Sequence, residues 1–177
     1  MTITNNITNC RNCNLALTRT RIVLGQGPMP CNVFLLGHSP GVQEDLVGTP
    51  FIATAPAGSM LDELLTAADL TRAQCFVYNT VACHPPNNRD PDAVELAACR
   101  PFLTHYLQTV QPKIVVLLGQ VALSRFWIGM KLEDCHGLLR RGDGRWYLPS
   151  YHPSAVLHRP ELFDVATRDL TRIKEFI

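Results

Sequence analysis

Short apolar runs separated by polar segments predict four buried β-strands, at residues 33–37, 75–81, 114–119 and 146–150. The first run (VFLLG) and the third (IVVLLG) do not alternate with polar residues. Strands that are covered on both faces have this continuous pattern, which is typical of parallel sheets. The sequence therefore predicts a sheet in the interior of the protein.

Helical patterns occupy the intervals between and after the predicted strands, at residues 58–68, 92–110, 120–127 and 160–177. In the first of these, Met60, Leu61, Leu64 and Leu65 fall on one helix face. Pro101 is expected to bend or divide the second. Strands that alternate with helices predict one α/β domain over residues 1–177, with a sheet rich in parallel strands.

Polar motifs follow three of the predicted strands, where an open α/β sheet forms its ligand crevice. They are the segment 37–41 (GHSPG), Asn79 and His152. His38 and Ser39 would project from a glycine-bracketed turn, Asn79 could read the polar edge of a base, and His152 could donate to a developing anion. Taken singly, each motif also fits a purely structural role, as a turn, a loop cap or a packed histidine.

Two further segments are candidates for contacts with a ligand. Phe51 follows a Gly-Thr-Pro turn beside the first motif and could stack on a planar ring, although a lone phenylalanine is more often part of the core. The proline-bounded segment 84–91 (HPPNNRDP) contains Arg89, which suits a phosphate contact. The same segment could be only a stiff connector.

Composition and charge limit the class of protein more than its function. Hydrophobic residues make up 46% of the chain and charged residues 18%, as in a compact globular protein. The net charge of +1 provides no strong overall attraction for nucleic acid, although a local patch is enough to hold a few phosphates. The polar N-terminus and the lack of a long apolar run predict a soluble, intracellular protein that does not contact membranes.

Four of the seven cysteines have the spacing of a metal or cluster site. Cys10 and Cys13 form C-x2-C, and Cys83 and Cys99 form C-x15-C. Disulfides are the alternative, but an odd number of cysteines without a secretory signal favours a reducing compartment. Four thiolates suit zinc and a [4Fe-4S] cluster equally, so the spacing leaves the metal open.

The order of these motifs resembles the uracil-DNA glycosylase superfamily, and specifically its iron–sulfur branch, family 4. The shared features begin with C-x2-C, G-x-x-P-G-x-x-E-D, G-x-P-F and A-G-x-x-L-D. A strand ending in Asn79, C-x-P-P-x-N-R-x-P, V-x-L-G and Tyr-His-Pro-Ser follow in order. Each is weak by itself, but the ordered set covers most of the chain and is specific.

The resemblance implies a three-layer α/β/α sandwich around a four-stranded, mostly parallel sheet, with a structural [4Fe-4S] cluster on Cys10, Cys13, Cys83 and Cys99. It implies that Phe51 stacks on a flipped base, Asn79 binds its Watson–Crick edge and His152 stabilises negative charge on its O2. The remaining positions that it points to are Gly37, Gly41 and Glu44 around the base, and Arg89, Val156, Leu157 and Arg159 on the DNA, with Val156 and Leu157 in a wedge segment.

The chain departs from the family pattern in its first motif, where His38 stands at the position usually held by glutamate and Ser39 follows it. The leading expectation is a monomeric, cytoplasmic DNA glycosylase of prokaryotic or phage origin that hydrolyses the glycosidic bond of uracil or a modified uracil, with His38, Ser39 and His152 as catalytic residues. Two alternatives stay open: an enzyme that transfers a group to a pyrimidine in DNA, and a non-catalytic binder of damaged bases.

Overall fold

A computed structural model describes residues 7–177, and within that range it contains five strands and six α-helices. The strands are β1 (Val33–Gly37), β2 (Cys75–Asn79), β3 (Ile114–Leu118), β4 (Arg140–Gly142) and β5 (Arg145–Ser150). The α-helices are α1 (Val42–Val47), α2 (Pro56–Ala67), α3 (Ala93–Val110), α4 (Gln120–Ser124), α5 (Pro153–His158) and α6 (Phe163–Thr171). Short 3-10 helices lie at Asn14–Leu17, Arg72–Gln74, Pro86–Asn88, Leu132–Asp134, Pro160–Leu162 and Arg172–Phe176.

The sheet has the strand order β2-β1-β3-β5-β4. β1 pairs in parallel with β2 and with β3, and β3 pairs in parallel with β5. These four strands are the ones that the apolar runs predicted. The fifth strand, β4, pairs antiparallel with β5 at the edge. It was not predicted because its three residues, Arg-Arg-Gly, carry no apolar pattern.

Every residue of β1, β2 and β3 is buried. Because successive side chains point to opposite faces of a sheet, both faces of these strands must be covered. On one face, Tyr106 of α3 packs against Phe76 and Tyr78, with ring centroids 5.3 and 4.6 Å apart. Elsewhere α2 packs against α5 and α6, and α6 contacts β5. The arrangement is the predicted α/β/α sandwich.

The long helix α3 is not divided at Pro101, contrary to one of the two expectations from the sequence. It begins after Asp92, whose side chain accepts a hydrogen bond from the backbone N–H of Glu95 at 2.8 Å. Pro101 removes only one helical hydrogen bond. The packed face around Tyr106 buries enough apolar surface to hold the helix together on both sides of it.

Other helices also differ from the sequence prediction. The predicted helix over 160–177 is divided into two 3-10 turns and the intervening α6. α1 and α5 were not predicted, since six residues are too few to display a helical period. Among residues 7–177, no helix is both long and apolar enough to cross a membrane.

Candidate active site and cysteine site

A cavity of about 800 Å³ opens at the carboxyl ends of the parallel strands. The residues of its lining that the sequence singled out are His38, Ser39, Gly41, Glu44, Phe51, His152 and Leu157. They come from the segment after β1, from the turn before α2 and from the start and end of α5. Pro56 and Ala57 at the start of α2 form part of the wall as well. The first and third strand-end motifs are therefore brought together at one cavity, along with Phe51.

Phe51 is held in the left-handed region at φ 48°, which is unusual for a bulky side chain. Hydrogen bonds hold both its backbone N–H and its carbonyl. The buried Glu44 carboxylate accepts from the N–H groups of Phe51 and, at 2.6 Å, of Gly41. Arg72 Nη1 donates to the Phe51 carbonyl at 2.6 Å, while its Nε donates to Asp62 at 2.7 Å. Burial raises the pKa of Glu44, and the two backbone hydrogen bonds oppose that shift.

Asn79 ends β2 and is only 1% exposed. Its Oδ1 and Nδ2 have no hydrogen-bond partner among the described residues. A Cβ on Gly37 would collide with Asn79 Oδ1 and with the Phe51 ring, so the glycine permits these two side chains to meet. Asn79 and Gly37 are not among the residues that line the cavity, but they lie next to the Phe51 ring, which does line it. A buried amide without partners is costly, and such groups are rare away from functional sites.

His152 is the N-cap of α5. Its Nδ1 accepts from the backbone N–H of Ser154 at 3.1 Å, so in the neutral ring the proton lies on Nε2. Nε2 is buried and has no partner within the described part of the chain. Burial, and secondarily the nearby His38, lower the pKa of His152 to about 3. The cavity therefore contains a neutral imidazole with an unused N–H donor, 5.5 Å from the Phe51 ring between centroids.

His38 forms two hydrogen bonds at the mouth of the cavity. Its Nδ1 lies 2.9 Å from Ser39 Oγ, and its Nε2 lies 2.9 Å from Asp90 Oδ1. The His38 carbonyl accepts from the Thr80 hydroxyl next to Asn79. The His38 and His152 rings approach edge to face, with centroids 6.3 Å apart. The residue that departs from the family pattern is thus firmly positioned in the candidate site.

The four predicted DNA contacts have different surroundings. Arg89 forms a two-pronged ion pair with the buried Glu95, at 2.6 and 2.8 Å, so its guanidinium is already engaged. Val156 is 1% exposed and packs in the hydrophobic core, which corrects its assignment to a DNA-contacting wedge. Its neighbour Leu157 is 39% exposed and lines the cavity. Arg159 is exposed and lies over the Tyr151 ring at 5.9 Å.

The cysteine site, defined as Cys10, Cys13, Cys83 and Cys99, forms where the N-terminal segment meets the start of the 84–91 loop and α3. All four cysteines are free thiols. Cys83 and Cys99 share a small buried cluster with Leu15 and Val81, and Cys13 packs against it. Arg19 donates to Cys83 Sγ at 3.4 Å and to the Cys10 carbonyl at 2.6 Å.

Four cysteine thiols are the type of donor that a [4Fe-4S] cluster and zinc both accept. Burial raises the pKa of Cys83, and it raises that of Cys99 to about 12, with further increases from the other thiols of the site. The thiols of Cys10 and Cys13 are near enough to Cys83 and Cys99 to add to these increases. Among residues 7–177, no group of three or more histidine, cysteine or acidic side chains is placed to hold a metal ion. Because a raised pKa keeps these thiols protonated, they would have to lose their protons when a metal binds.

Two contacts connect the cysteine site to the cavity. The backbone N–H groups of Thr20 and Arg21, just after Arg19, donate to the buried Asp45 of α1 at 2.8 and 3.3 Å. His84, which follows Cys83, is hydrogen-bonded through Nδ1 to the Pro40 carbonyl at 2.8 Å. The first motif is therefore attached to both halves of the cysteine site.

Sequence reasoning missed three residues that shape the cavity: Arg72, Asp90 and Asp45. Arg72 had no recognisable motif around it, and Asp45 ends the G-x-x-P-G-x-x-E-D motif but was given no role. Asp90 lies within the 84–91 segment, where only Arg89 was considered as a candidate for a contact with a ligand. The signal that could have found it is the replacement at His38, because a histidine at a catalytic position commonly needs a carboxylate to orient it.

Comparisons with known proteins agree with this picture. A family model described as the uracil DNA glycosylase superfamily matches residues 24–171. The chain is 33% identical to a type-4 uracil-DNA glycosylase of Saccharolobus solfataricus, over 98% of this chain and 84% of the relative. It is 34% identical to a type-4 uracil-DNA glycosylase of Thermotoga maritima, over 99% of this chain and 93% of the relative.

A solved structure shares the fold at low sequence identity. The crystal structure of wild-type Pedobacter heparinus SMUG2 superposes with a TM-score of 0.53 and 13% identity. The match covers 82% of this chain and 76% of that one. At this identity the likeness concerns the fold alone.

Proposed function

The chain belongs to the uracil DNA glycosylase superfamily, among the type-4 enzymes, and we propose that it excises uracil or a modified uracil from DNA by hydrolysing the N-glycosidic bond. The observation that carries this proposal is the pair of unpartnered polar groups beside Phe51. These are the amide of Asn79 and Nε2 of His152, whose partners are absent from the described residues. A flipped pyrimidine supplies partners for both.

The base would be recognised by its ring face and its polar edge. Glu44 and Arg72 fix the backbone of Phe51, so its ring would offer a well-positioned surface on which a base can stack. The Asn79 amide carries both a donor and an acceptor, which complement N3–H and O4 of uracil. Cytosine presents the opposite pattern at these positions. With Oδ1 turned towards N3, the buried amide pairs with uracil, whereas cytosine in the same pose would leave the polar atoms of Asn79 unpaired.

His152 would act on the departing base. As the C1′–N1 bond breaks, its electrons move onto the base and charge accumulates on O2. The Nε2–H of His152 is the donor available for that oxygen, since Ser154 fixes the opposite side of the ring. With a pKa of about 3 the imidazole is neutral at physiological pH, so it stabilises the anion by a hydrogen bond without carrying a full charge.

DNA binding would use the exposed residues at the cavity mouth. Leu157, an exposed apolar side chain, would fill the gap left by the flipped base, and Arg159 lies two residues further on. Flipping costs a few kcal/mol, which wedge insertion and phosphate contacts offset. A monomer suffices for this scheme, because every group that it uses comes from one chain. Cytoplasmic location stays a prediction.

The four residues of the cysteine site would hold a [4Fe-4S] cluster. The cluster would supply structural cross-linking of the N-terminal segment to α3. Arg19 adds positive charge next to Cys83, which favours the thiolate form. Zinc is the other metal that four thiolates suit, and iron and zinc analysis of protein purified without air separates the two.

Base release by the holoprotein tests the proposed function. Oligonucleotides with one uracil, single-stranded or opposite guanine or adenine, are incubated with enzyme in excess, and free base is measured by mass spectrometry. We expect stoichiometric release of uracil and an abasic site, and a loss of about 100- to 1000-fold in rate for His152→Ala. Failure to release uracil or any 5-substituted uracil overturns the proposal. Mass added to the DNA would indicate group transfer, and tight binding without any change would indicate a binder.

A further inference from the structure

Ser39, His38 and Asp90 form a continuous hydrogen-bonded chain, and all three line the cavity. The two links are each 2.9 Å long. Ser39 and His38 are neighbours in sequence, whereas Asp90 comes from the loop between the third and fourth residues of the cysteine site, 52 positions away. The fold alone brings this carboxylate to the histidine.

The order of the groups determines where the proton on His38 lies. A carboxylate accepts hydrogen bonds and donates none, so the ring nitrogen facing Asp90, Nε2, must carry the proton. In the neutral ring Nδ1 then has a free lone pair. The Ser39 hydroxyl can satisfy it only by donating, which leaves the lone pairs of Ser39 Oγ available to a water molecule. The same sequence of carboxylate, imidazole and hydroxyl activates oxygen nucleophiles in unrelated enzymes.

The position of Asp90 is fixed although its side chain is 80% exposed. Arg89 Nη1 donates to the Asp90 carbonyl at 2.9 Å and at the same time to the buried Glu95 at 2.8 Å. Glu95 is itself tied to the start of α3 through Asp92. The ion pair of Arg89 with Glu95 therefore anchors the backbone that presents Asp90.

We propose that Asp90 is a positioning residue, which orients His38 as the general base for the attacking water and thereby supplies the carboxylate that the first motif lacks. The inference rests on the proposed function. Water bound to Ser39 Oγ attacks C1′ as the C1′–N1 bond breaks with its electron pair going to the base. The water proton passes to Ser39 Oγ, and the Ser39 proton passes to His38 Nδ1. Asp90 then pairs with the imidazolium.

The arrangement also answers the electrostatic problem that His38 creates. A carboxylate at this position would stabilise the cationic sugar directly, whereas a histidine cannot. The neutral tautomer avoids repulsion before the water reacts. After proton transfer, the ion pair with Asp90 limits the positive charge that the site presents to the sugar.

The test compares Asp90→Ala, His38→Ala and the double variant in single-turnover uracil release. Asp164→Ala, at an exposed aspartate outside the cavity, is the matched control. We expect Asp90→Ala to slow release about 10- to 100-fold, within the range of general base catalysis, and Asp164→Ala to match the wild type. DNA affinity should be unchanged or tighter for Asp90→Ala, since a negative charge near the phosphates is lost. In the His38→Ala background the second substitution should add nothing.

Nitrogen NMR of the His38 ring gives a readout that is independent of activity. The wild type should show a neutral ring protonated at Nε2, and Asp90→Ala should show a mixture of tautomers. A wild-type ring protonated at Nδ1 overturns the inference. So does an Asp90→Ala rate within about twofold of the wild type, or an undiminished effect of Asp90→Ala without His38. In those cases uracil release by the wild type still supports the proposed function, whereas a wild type that releases no base overturns both.

Discussion

The cysteine site and the cavity both contain buried polar side chains. Burial disfavours the protonation state that the proposed role requires at the cysteine site, and it favours the required state in the cavity. At the cysteine site, burial raises the pKa of Cys83 and Cys99 and so disfavours the thiolates that a metal requires. In the cavity, burial lowers the pKa of His152 and so favours the neutral donor that the proposed chemistry requires. Under the proposed function, the first region requires a bound group, whereas the second is prepared by the protein alone.

The comparison separates buried polar groups that would contribute to stability from buried polar groups that would contribute to function. A metal cluster would repay the burial of four thiols by joining distant parts of the chain. No hydrogen bond from the described part of the protein offsets the desolvation of the Asn79 amide and His152 Nε2. A flipped base in the cavity would supply the missing partners. The two regions are nevertheless coupled, through Asp45 and His84, so damage to the first should reach the second.

The largest effect is expected from removing one residue of the cysteine site. Cys83→Ser should lose bound iron and lower the thermal midpoint by about 10 °C or more, since 1 kcal/mol corresponds to about 2–4 °C in a chain of this size. Base release should fall with it, because His84 and Asp45 connect the two regions. Cys135→Ser is the control, as Cys135 is equally buried but outside the site. Equal iron content in the two variants would contradict the assignment.

Asn79→Leu should separate stability from function. The substitution removes two buried polar atoms that lack partners, so we expect the free energy of unfolding to rise by about 1 kcal/mol or more. Uracil release should fall at least about 100-fold. Thr80→Val is the contrast, because the Thr80 hydroxyl donates to the His38 carbonyl and its loss should destabilise the protein. An Asn79→Leu protein that is less stable yet fully active would contradict the role of Asn79.

Leu157→Ala should affect duplex DNA more than single strands. A wedge matters only where a flipped base leaves a gap in a stack, so release from duplex should slow about tenfold and release from single strands should hardly change. Ile128→Ala, at a fully exposed apolar residue outside the cavity lining, should leave both rates unchanged. Equal losses on the two substrates would remove Leu157 from the wedge position.

The smallest effect concerns the pH dependence of stability. Unfolded His152 takes up a proton near pH 6.5, whereas the native residue does so near pH 3. Its contribution is therefore fully present above pH 6.5 and is lost as the pH falls towards 3. Between pH 6.5 and 5.5 the wild type should lose about 1 kcal/mol relative to His152→Gln. Denaturant unfolding of both proteins at these pH values measures the difference, and parallel curves would contradict the neutral buried imidazole.

The sequence predicted the parts of this molecule that depend on local pattern or ordered motifs. The apolar runs located β1 to its exact bounds, because a strand buried on both faces leaves no polar interruption. His152, from a strand-end motif, and Phe51, from the turn beside the first motif, both line the cavity. For the wedge segment the sequence was wrong about Val156, since α5 was not recognised and its turn directs Val156 into the core, and the role of Leu157, which points outward, stays a prediction.

What the sequence could not predict depends on contacts between distant segments. Arg72 reaches the Phe51 carbonyl from 21 residues away, and no motif surrounds it. Asp90 meets His38 across 52 positions. Arg89 looked free for phosphate until the structure paired it with Glu95. In each case the partner of the side chain depends on how the loops fold against one another, and residue type alone carries no information about that.

The central claim is that the fold leaves Asn79 and His152 unpaired so that a flipped base can satisfy them. A crystal structure of the holoprotein with DNA that carries a non-cleavable uracil nucleotide tests it most directly. The account predicts uracil stacked on Phe51, its N3 and O4 on the Asn79 amide, and its O2 within hydrogen-bond distance of His152 Nε2. A base bound elsewhere in the cavity, with both residues still unpaired, would contradict it.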